Sequence, residues 1–220
     1  NAPVAFAPVR PAGHHSKYDS VGPLCVFNLV MVAALRFAAK GKTVGIYDVD
    51  IHFGAGTQDI AKRWNTNTSG GSTSGRVLVA DVYARLYDWT VTGERKIENH
   101  GLPHKHGRQD KQGHLYFEYD VDQLTDEALQ KTTALVLQHF ASNRVDLVLV
   151  AFGVDAAQGD LEGAQVTPAG YSQLGFQLRQ AGIPCVLALE GGYRIQPSTS
   201  DGDQLTSPFA MSISGVLRGL

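Results

Sequence analysis

Cysteine is scarce in this chain of 220 residues, which contains only Cys25 and Cys185. Two thiols in apolar stretches make neither a disulfide framework nor a zinc knuckle, so we expect two reduced thiols in the core. No apolar run reaches the roughly 18 to 20 uncharged residues that span a bilayer. The first residues also lack the basic and apolar regions of a secretory signal. These absences predict a cytoplasmic protein without a membrane partner.

An excess of charge of one sign is missing as well. The formal net charge is −2, and no run of like charge interrupts the sequence. Binding to nucleic acid usually needs a basic patch or stripe, so we expect no nucleic-acid partner. The hydrophobic content of 43% is enough for one sizeable core. We therefore expect a single domain over residues 1–220, and the composition leaves a homo-oligomer open.

Continuous apolar segments alternate with helical segments along the chain. Strands are predicted at 4–9, 43–49, 76–83, 146–152 and 184–189, and helices at 25–40, 122–142, 167–181 and 207–220. The polar, low-complexity segment 65–75 predicts a mobile loop. Strands that are apolar throughout belong to parallel sheets covered on both faces. The pattern thus predicts a three-layer α/β/α fold with a mostly parallel central sheet, whose functional groups gather at the carboxyl ends of its strands.

Residues with metal-ligand chemistry follow two of the predicted strands. Asp48, Asp50 and His52 alternate at the end of the strand 43–49, so an extended backbone projects all three to one side. Asp155 follows the strand 146–152. A lone Asp-x-His is common by chance, and an Asp at a strand end often caps a helix. Asp50, His52 and Asp155 together would nevertheless leave an open fourth position, which is typical of a catalytic zinc site.

Other reactive side chains lie in loops. The adjacent His14 and His15 would supply a general base and a general acid, and Tyr193 follows the strand 184–189 beside two glycines, where its hydroxyl could reach a reacting oxygen. Four further histidines could form a second metal site: His100, His104, His106 and His114. Solvated loop positions are the favoured interpretation for these four, because no carboxylate or thiolate framework surrounds them.

The motifs of the chain, in their order and spacing, resemble those of the zinc-dependent histone deacetylases and acetylpolyamine amidohydrolases, which have the arginase/deacetylase fold. They are RPAGHH at 10–15, CVFN at 25–28, DVDIHFGAGTQ at 48–58, GVD at 153–155 with GD at 159–160, and LEGGY at 189–193. The resemblance covers essentially the whole chain. Members of the family usually have a longer N-terminal portion, and the sequence lacks an initiator Met. We therefore expect a single deacetylase-like catalytic domain, in a fragment or processed form.

The resemblance implies a zinc-dependent amidohydrolase that removes an acetyl group from an acetylpolyamine or an acetyl-lysine. It implies that Asp50, His52 and Asp155 bind zinc, and that His14 and His15 are the catalytic pair. Tyr193 would polarise the amide carbonyl. It further implies that Asp48 supports His14 and a nearby structural potassium ion, and that Pro23, Leu24, Phe53 and Gly192 contact the substrate.

Several positions depart from the family pattern. Phe53 stands where the family commonly has a second His, which alters the polarity of the pocket but removes no ligand. Ala55 stands where an Asp or Asn usually hydrogen-bonds the second catalytic histidine, so the resemblance implies a different orientation of His15. Pro23 and Leu24 replace a Gly and the Phe that typically walls the acyl-lysine tunnel. The loss of this aromatic wall, in an acidic chain, favours small acetylated amines over acetylated histone peptides as substrates.

Two rival functions share parts of this pattern. Binuclear manganese ureohydrolases need an Asp-x-His-x-Asp run, but the residue two after His52 is Gly54, which favours one metal and amide hydrolysis. The other rival is a catalytically degenerate relative that binds a metal or an acyl group without turnover. Turnover of an acetylated amine would separate this module from an enzyme.

Overall fold

The computed structural model describes residues 2–68, 73–85, 87–89, 95–97, 107–195 and 207–220, with the backbone alone for 87–89 and 95–97. Its strands are β1 (Val4–Ala7), β2 (Val44–Asp48), β3 (Val77–Arg85), β4 (Tyr87–Trp89), β5 (Arg95–Ile97), β6 (Arg108–Gln109), β7 (Leu115–Asp120), β8 (Leu147–Phe152) and β9 (Cys185–Leu189). Its α-helices are α1 (Leu29–Ala38), α2 (Ala55–Thr68), α3 (Asp126–Ser142), α4 (Pro168–Gln180) and α5 (Pro208–Gly219). None of the helices in these ranges is both long and apolar enough to cross a membrane.

A seven-stranded sheet forms the centre of the fold, in the order β1-β9-β8-β2-β3-β7-β6. Neighbouring strands within the sheet are parallel, except that β6 pairs antiparallel with β7. Strands β4 and β5 form a separate antiparallel pair. The predicted mostly parallel sheet is confirmed.

Helices cover both faces of this sheet. On one face, Val44 and Ile46 of β2 belong to a core cluster with residues of α1 and α2. On the other face, Tyr47 belongs to a larger cluster with residues of α3, α4 and α5. Because successive side chains of a strand point to opposite faces, the apolar run of β2 serves both cores. This confirms the three-layer architecture.

The helix predicted at 25–40 begins only at Leu29. Asn28 is its N-cap, and the Asn28 side chain accepts a hydrogen bond from the Met31 amide at 3.0 Å. An Asn at this position satisfies one of the free amides of the first turn, and so fixes where the helix starts. Val26 and Phe27 precede the cap and are exposed. The expectation of a buried helix from residue 25 is therefore wrong for its first turn.

The loop predicted at 65–75 is wrong for its first four residues, which form the last turn of α2. Asn65 is buried, and its side chain pairs with the backbone of Val77 at the start of β3. Its Nδ2 donates to the Val77 carbonyl at 2.7 Å, and its Oδ1 accepts from the Val77 amide at 3.0 Å. The polar composition that indicated a loop therefore includes a side chain that joins helix and sheet. Residues 69–72 lie outside the described residues.

His114 is not a solvated loop residue, contrary to the prediction. It is fully buried directly before β7, where its Nδ1 accepts a hydrogen bond from the Val79 amide at 2.9 Å. Burial lowers the pKa of His114 to about 4, so the ring is neutral at pH 7 and serves as an acceptor. His100, His104 and His106 lie outside the described residues.

We predict that Asn65→Ala lowers the free energy of unfolding by about 1–3 kcal/mol, because it leaves buried backbone groups of Val77 without a partner. The matched control is Asn67→Ala on the exposed side of the same helix, which gains the same small increase in helix propensity. Urea denaturation measures both variants. Equal stability of the two variants would contradict the role assigned to Asn65.

Candidate functional site

The carboxyl ends of β2, β8 and β9 lie side by side in the sheet. Asp48 at the end of β2 is opposite Ala151 of β8, and Phe152 of β8 is opposite Leu189 of β9. The segments that follow these three strands carry the predicted metal ligands and Tyr193. The parallel pairing therefore brings side chains more than a hundred residues apart in sequence to one edge of the sheet.

Asp50, His52 and Asp155 form one compact cluster. Their potential ligand atoms all lie within 4.8 Å of one another, so that the three residues could hold a metal ion. His52 Nδ1 lies 3.0 Å from Asp50 Oδ1 and 3.2 Å from Asp155 Oδ2. Both carboxylates are fully buried, while the imidazole is partly exposed. The structure thus brings the three predicted ligands together with an imidazole nitrogen facing both carboxylates.

Backbone amides hold the two carboxylates in place. Asp50 Oδ2 accepts from the Gly191 amide at 2.7 Å, and Asp155 Oδ1 accepts from the Ile51 amide at 3.0 Å. A Cβ at Gly191 would overlap with Asp155 Oδ2 and Asp50 Oδ2. The glycine therefore lets the backbone after β9 approach the cluster closely enough to donate its hydrogen bond.

The buried charges of the cluster shift its pKa values in different directions. Burial and then the Asp50 charge raise the pKa of Asp155 to about 7. Burial acts in the same direction on Asp50, but His14 and His52 outweigh it and hold the pKa of Asp50 below its usual range. Burial would lower the pKa of His52, but the nearby carboxylates raise it well above its usual value. A proton on His52 thus compensates the negative charge, and a metal cation would take over this role as the proton leaves.

The two adjacent histidines lie beside this cluster. His14 is buried, with Nδ1 3.1 Å from Asp48 Oδ2 and Nε2 3.6 Å from Asp50 Oδ1. The His15 ring is half-buried and lies 4.0 Å from the His14 ring between centroids. Glu190 accepts hydrogen bonds from the Gly13 and His14 amides at 2.6 and 3.3 Å, and so fixes the histidine loop to the end of β9.

Asp48 contacts His14, the residue that the resemblance implied it supports. Its Oδ2 faces the His14 ring, and its Oδ1 accepts from the Asp50 amide at 3.2 Å. Asp81 of β3 lies opposite Asp48 in the sheet, and burial followed by the Asp48 charge raises the pKa of Asp81 well above its usual value. Nothing in the described residues supports the potassium ion, which stays a prediction.

A cavity of about 380 Å³ opens over the cluster. Its lining includes three of the four predicted substrate-contact positions, Pro23, Leu24 and Phe53, whereas Gly192 is not among the described residues that line it. Leu24 is 73% exposed at the rim. The described residues that line it are Ala12, His14, His15, Pro23, Leu24, Cys25, Asp50, His52, Phe53, Ala55 and Tyr193. The cavity thus joins both histidines, two of the ligand candidates and Tyr193 in one space.

Cys25 lines this cavity as well. It is unpaired and buried, as predicted for both cysteines. Its place in the cavity wall was missed, because an apolar sequence context does not separate a core position from a cavity wall. Gly192 is buried, and its carbonyl accepts a hydrogen bond from Arg10 at 3.2 Å.

Tyr193 is positioned by a residue whose role the sequence did not reveal. Asp160 is buried, and its Oδ2 accepts from the Tyr193 amide at 3.1 Å and from the Arg194 amide at 2.9 Å. The Tyr193 ring stands 6.4 Å from the His52 ring between centroids, at 80° to it. Burial and then the charges of Asp50 and Asp155 raise the pKa of Tyr193 above its usual value, so its hydroxyl is a hydrogen-bond donor at pH 7.

Comparisons with known proteins agree with these motifs. A family model described as the histone deacetylase domain matches residues 1–207. The chain is 30% identical over 223 residues to an acetylpolyamine amidohydrolase of Burkholderia pseudomallei (strain 1710b), a match that covers 99% of this chain and 58% of the relative. It is 33% identical over 210 residues to histone deacetylase 18 of Arabidopsis thaliana, covering 87% of this chain and 27% of the relative. The chain thus spans less than two thirds of the length of these relatives.

A solved structure is similar over nearly the whole chain. The crystal structure of the HDA15 HD domain matches with a TM-score of 0.69 and 27% sequence identity, covering 97% of this chain and 54% of that one. An acetylpolyamine aminohydrolase from Burkholderia pseudomallei matches with a TM-score of 0.64 at 22% identity, which supports the fold.

We predict that Asp160→Ala loosens the segment of Tyr193, because the amides of Tyr193 and Arg194 lose their shared acceptor. Hydrogen exchange at these two amides should become faster, while exchange within β2 stays as in the unmodified chain. Unchanged exchange at both amides would show that Asp160 does not hold this segment.

Proposed function

The chain belongs to the histone deacetylase domain family and has the arginase/deacetylase fold, and on this premise we propose that it is a zinc-dependent amidohydrolase that deacetylates N-acetylated amines. We further propose that residues 1–220 act as one deacetylase-like catalytic domain. The observation that carries this proposal is the cluster of Asp50, His52 and Asp155, which lies at a cavity that also contains a histidine pair and a tyrosine.

The donor set fits zinc. One imidazole nitrogen and two carboxylates are ligand types that zinc accepts, and three protein ligands leave a position for water or substrate. Zinc bound here would act as a Lewis acid on the amide carbonyl and would lower the pKa of a bound water. A binuclear centre would need a carboxylate ligand two residues after His52. Gly54 occupies that position and has no side chain to bind a second metal. This supports one metal rather than a binuclear centre.

The remaining side chains supply proton transfer and charge stabilisation. We propose that His14 and His15, whose rings lie 4.0 Å apart between centroids, take a proton from the attacking water and deliver one to the leaving amine. Asp48 holds the His14 ring through Nδ1, so its Nε2 faces the cluster. Tyr193 donates its hydroxyl proton in a hydrogen bond to the carbonyl oxygen as negative charge develops there.

The substrate class we propose is small acetylated amines. The relative at 30% identity is named for acetylpolyamines. Leu24 puts an aliphatic side chain at the cavity rim, where a flat aromatic wall would favour an extended alkyl chain. The net charge of −2 also offers no general attraction to chromatin, and it is compatible with cationic amines.

One observation favours a second candidate, a degenerate module that binds a metal or an acyl group without turnover. Ala55 lines the cavity and presents a methyl group where an acidic or amide side chain was expected. A methyl group accepts no hydrogen bond, so position 55 cannot orient a histidine ring. Turnover decides between the two candidates.

We predict about one zinc per chain, and little zinc in His52→Ala or Asp155→Ala, because removal of one of three ligands leaves the ion under-coordinated. Elemental analysis after desalting measures the stoichiometry. Glu127→Ala, which removes an exposed carboxylate on α3, is the control and should keep its zinc. Stoichiometric zinc in both ligand variants would contradict the assignment.

We predict that Tyr193→Phe keeps zinc and lowers kcat by about 10²-fold or more, the effect expected for loss of one donor to the developing charge. Tyr18→Phe, at an exposed tyrosine, is the matched control and should leave kcat unchanged. Full turnover by Tyr193→Phe would reduce this tyrosine to a structural residue.

The proposed substrate class is tested by kcat/KM for an acetylated diamine and for an acetyl-lysine peptide, with a chelator-treated sample as the control. We expect the higher value for the diamine, and no turnover of either compound after chelation. A preference of about tenfold or more for the peptide would overturn the substrate class. Absence of turnover in the zinc-loaded chain would favour the degenerate module.

A further inference from the structure

We propose that Glu162 is a positioning residue for the metal ligand His52, which it holds so that Nδ1 faces the metal site. This inference rests on the zinc centre proposed above. Glu162 is not one of the three ligand candidates. Its carboxylate lies near Nε2, on the side of the His52 ring away from the cluster.

The two ring nitrogens of His52 face different carboxylates. Nδ1 lies close to both Asp50 and Asp155, at 3.0 and 3.2 Å. Nε2 lies 3.8 Å from Glu162 Oε1. The imidazole therefore stands between the buried cluster on one side and a single carboxylate on the other.

The chemistry of a metal-bound imidazole gives this arrangement its meaning. A neutral imidazole carries a proton on only one of its two ring nitrogens, and a metal binds the nitrogen without the proton. If Nδ1 binds the metal, Nε2 must carry the proton. A carboxylate near Nε2 favours this tautomer, fixes the plane of the ring and increases the basicity of the ligand nitrogen. Glu162 lies where such a carboxylate is needed.

The loop that carries Glu162 is anchored rather than free. Asp160, two residues earlier, is buried and accepts hydrogen bonds from the Tyr193 and Arg194 amides. Gly159 and Gly163 have φ values of +89° and +73°, so glycine is needed at both ends of the short turn. The turn thus sets the Glu162 carboxylate over the exposed edge of His52.

Exposure places this contact at the boundary between the cluster and solvent. The side chains of His52 and Glu162 are 18% and 37% exposed. Water competes for Nε2 at such a position, so we expect a contribution to metal affinity rather than an all-or-none requirement. The proposed role therefore predicts a graded loss.

The test is the zinc affinity of the chain, measured by competition with a chromophoric chelator, for the unmodified protein, Glu162→Ala, Glu162→Gln and Glu127→Gln. We expect Glu162→Ala to bind zinc about tenfold more weakly, the lower end of the effect known for residues that support metal ligands. Glu162→Gln should recover part of this loss, since its amide oxygen still accepts a hydrogen bond. Glu127→Gln should bind zinc as the unmodified chain does, and the Tm of the metal-free protein should be the same for all four.

Zinc affinity of Glu162→Ala equal to that of the unmodified chain would overturn the proposal. If that result came with a raised KM for cationic acetylated amines, Glu162 would contact substrate instead. A lowered metal-free Tm in Glu162→Ala with unchanged zinc affinity would also overturn it, because the residue would then act only on stability. If the unmodified chain bound no zinc, the proposed zinc enzyme itself would be wrong. If the unmodified chain and the Glu162 variants all bound zinc equally well, only the role proposed for Glu162 would be wrong.

Discussion

The concentration of buried carboxylates at one edge of the sheet is the constraint on which the rest of the site depends. Asp48, Asp50, Asp81 and Asp155 are all fully buried there. Buried carboxylates that stay ionised need hydrogen bonds or a nearby positive charge, because the interior does not solvate them. For Asp50, the Gly191 amide donates a hydrogen bond, and His14 and His52 supply the positive charge. An arrangement of this kind is costly for a protein that needs only a stable core, and it is typical of a site that holds a cation.

The parallel sheet explains how so many acidic groups meet. Asp48 and Asp81 are partners across β2 and β3, and Asp155 comes from the end of the neighbouring β8. Glu190 at the end of β9 fixes the loop of the two histidines from the other side. Each strand thus delivers its reactive residue to the same edge, while α-helices on both faces bury the strands themselves. The parallel pairing of the strands thus both stabilises the sheet and brings the reactive residues together.

The sequence was sufficient for those features that depend on local patterns. Continuous apolar runs predicted β1, β2, β3, β8 and β9, whereas β4 to β7 were not predicted. The alternation of Asp48, Asp50 and His52 predicted one cluster that Asp155 would join. Features that depend on distant partners were beyond it. Asn65 was assigned to a loop from its polar neighbours, yet it pairs with the backbone of Val77.

The same reason explains the other differences. His114 was expected in solvent, but the sheet buries it against Val79. Cys25 was expected in the core and lines the cavity, because only the three-dimensional path of the loop before α1 separates the two positions. Asp160 contacts the backbone of Tyr193, and Glu162 lies beside the ring of His52. Neither contact could be predicted from the spacing of residues in the sequence.

We propose that one metal ion binds where Asp50, His52 and Asp155 converge, and a crystal structure of the zinc-loaded chain with an anomalous map at the zinc edge tests this site. We expect one strong peak within about 2.0–2.2 Å of an oxygen of each carboxylate and of His52 Nδ1. A peak at any other position, or coordination through His52 Nε2 or Cys25, would contradict it.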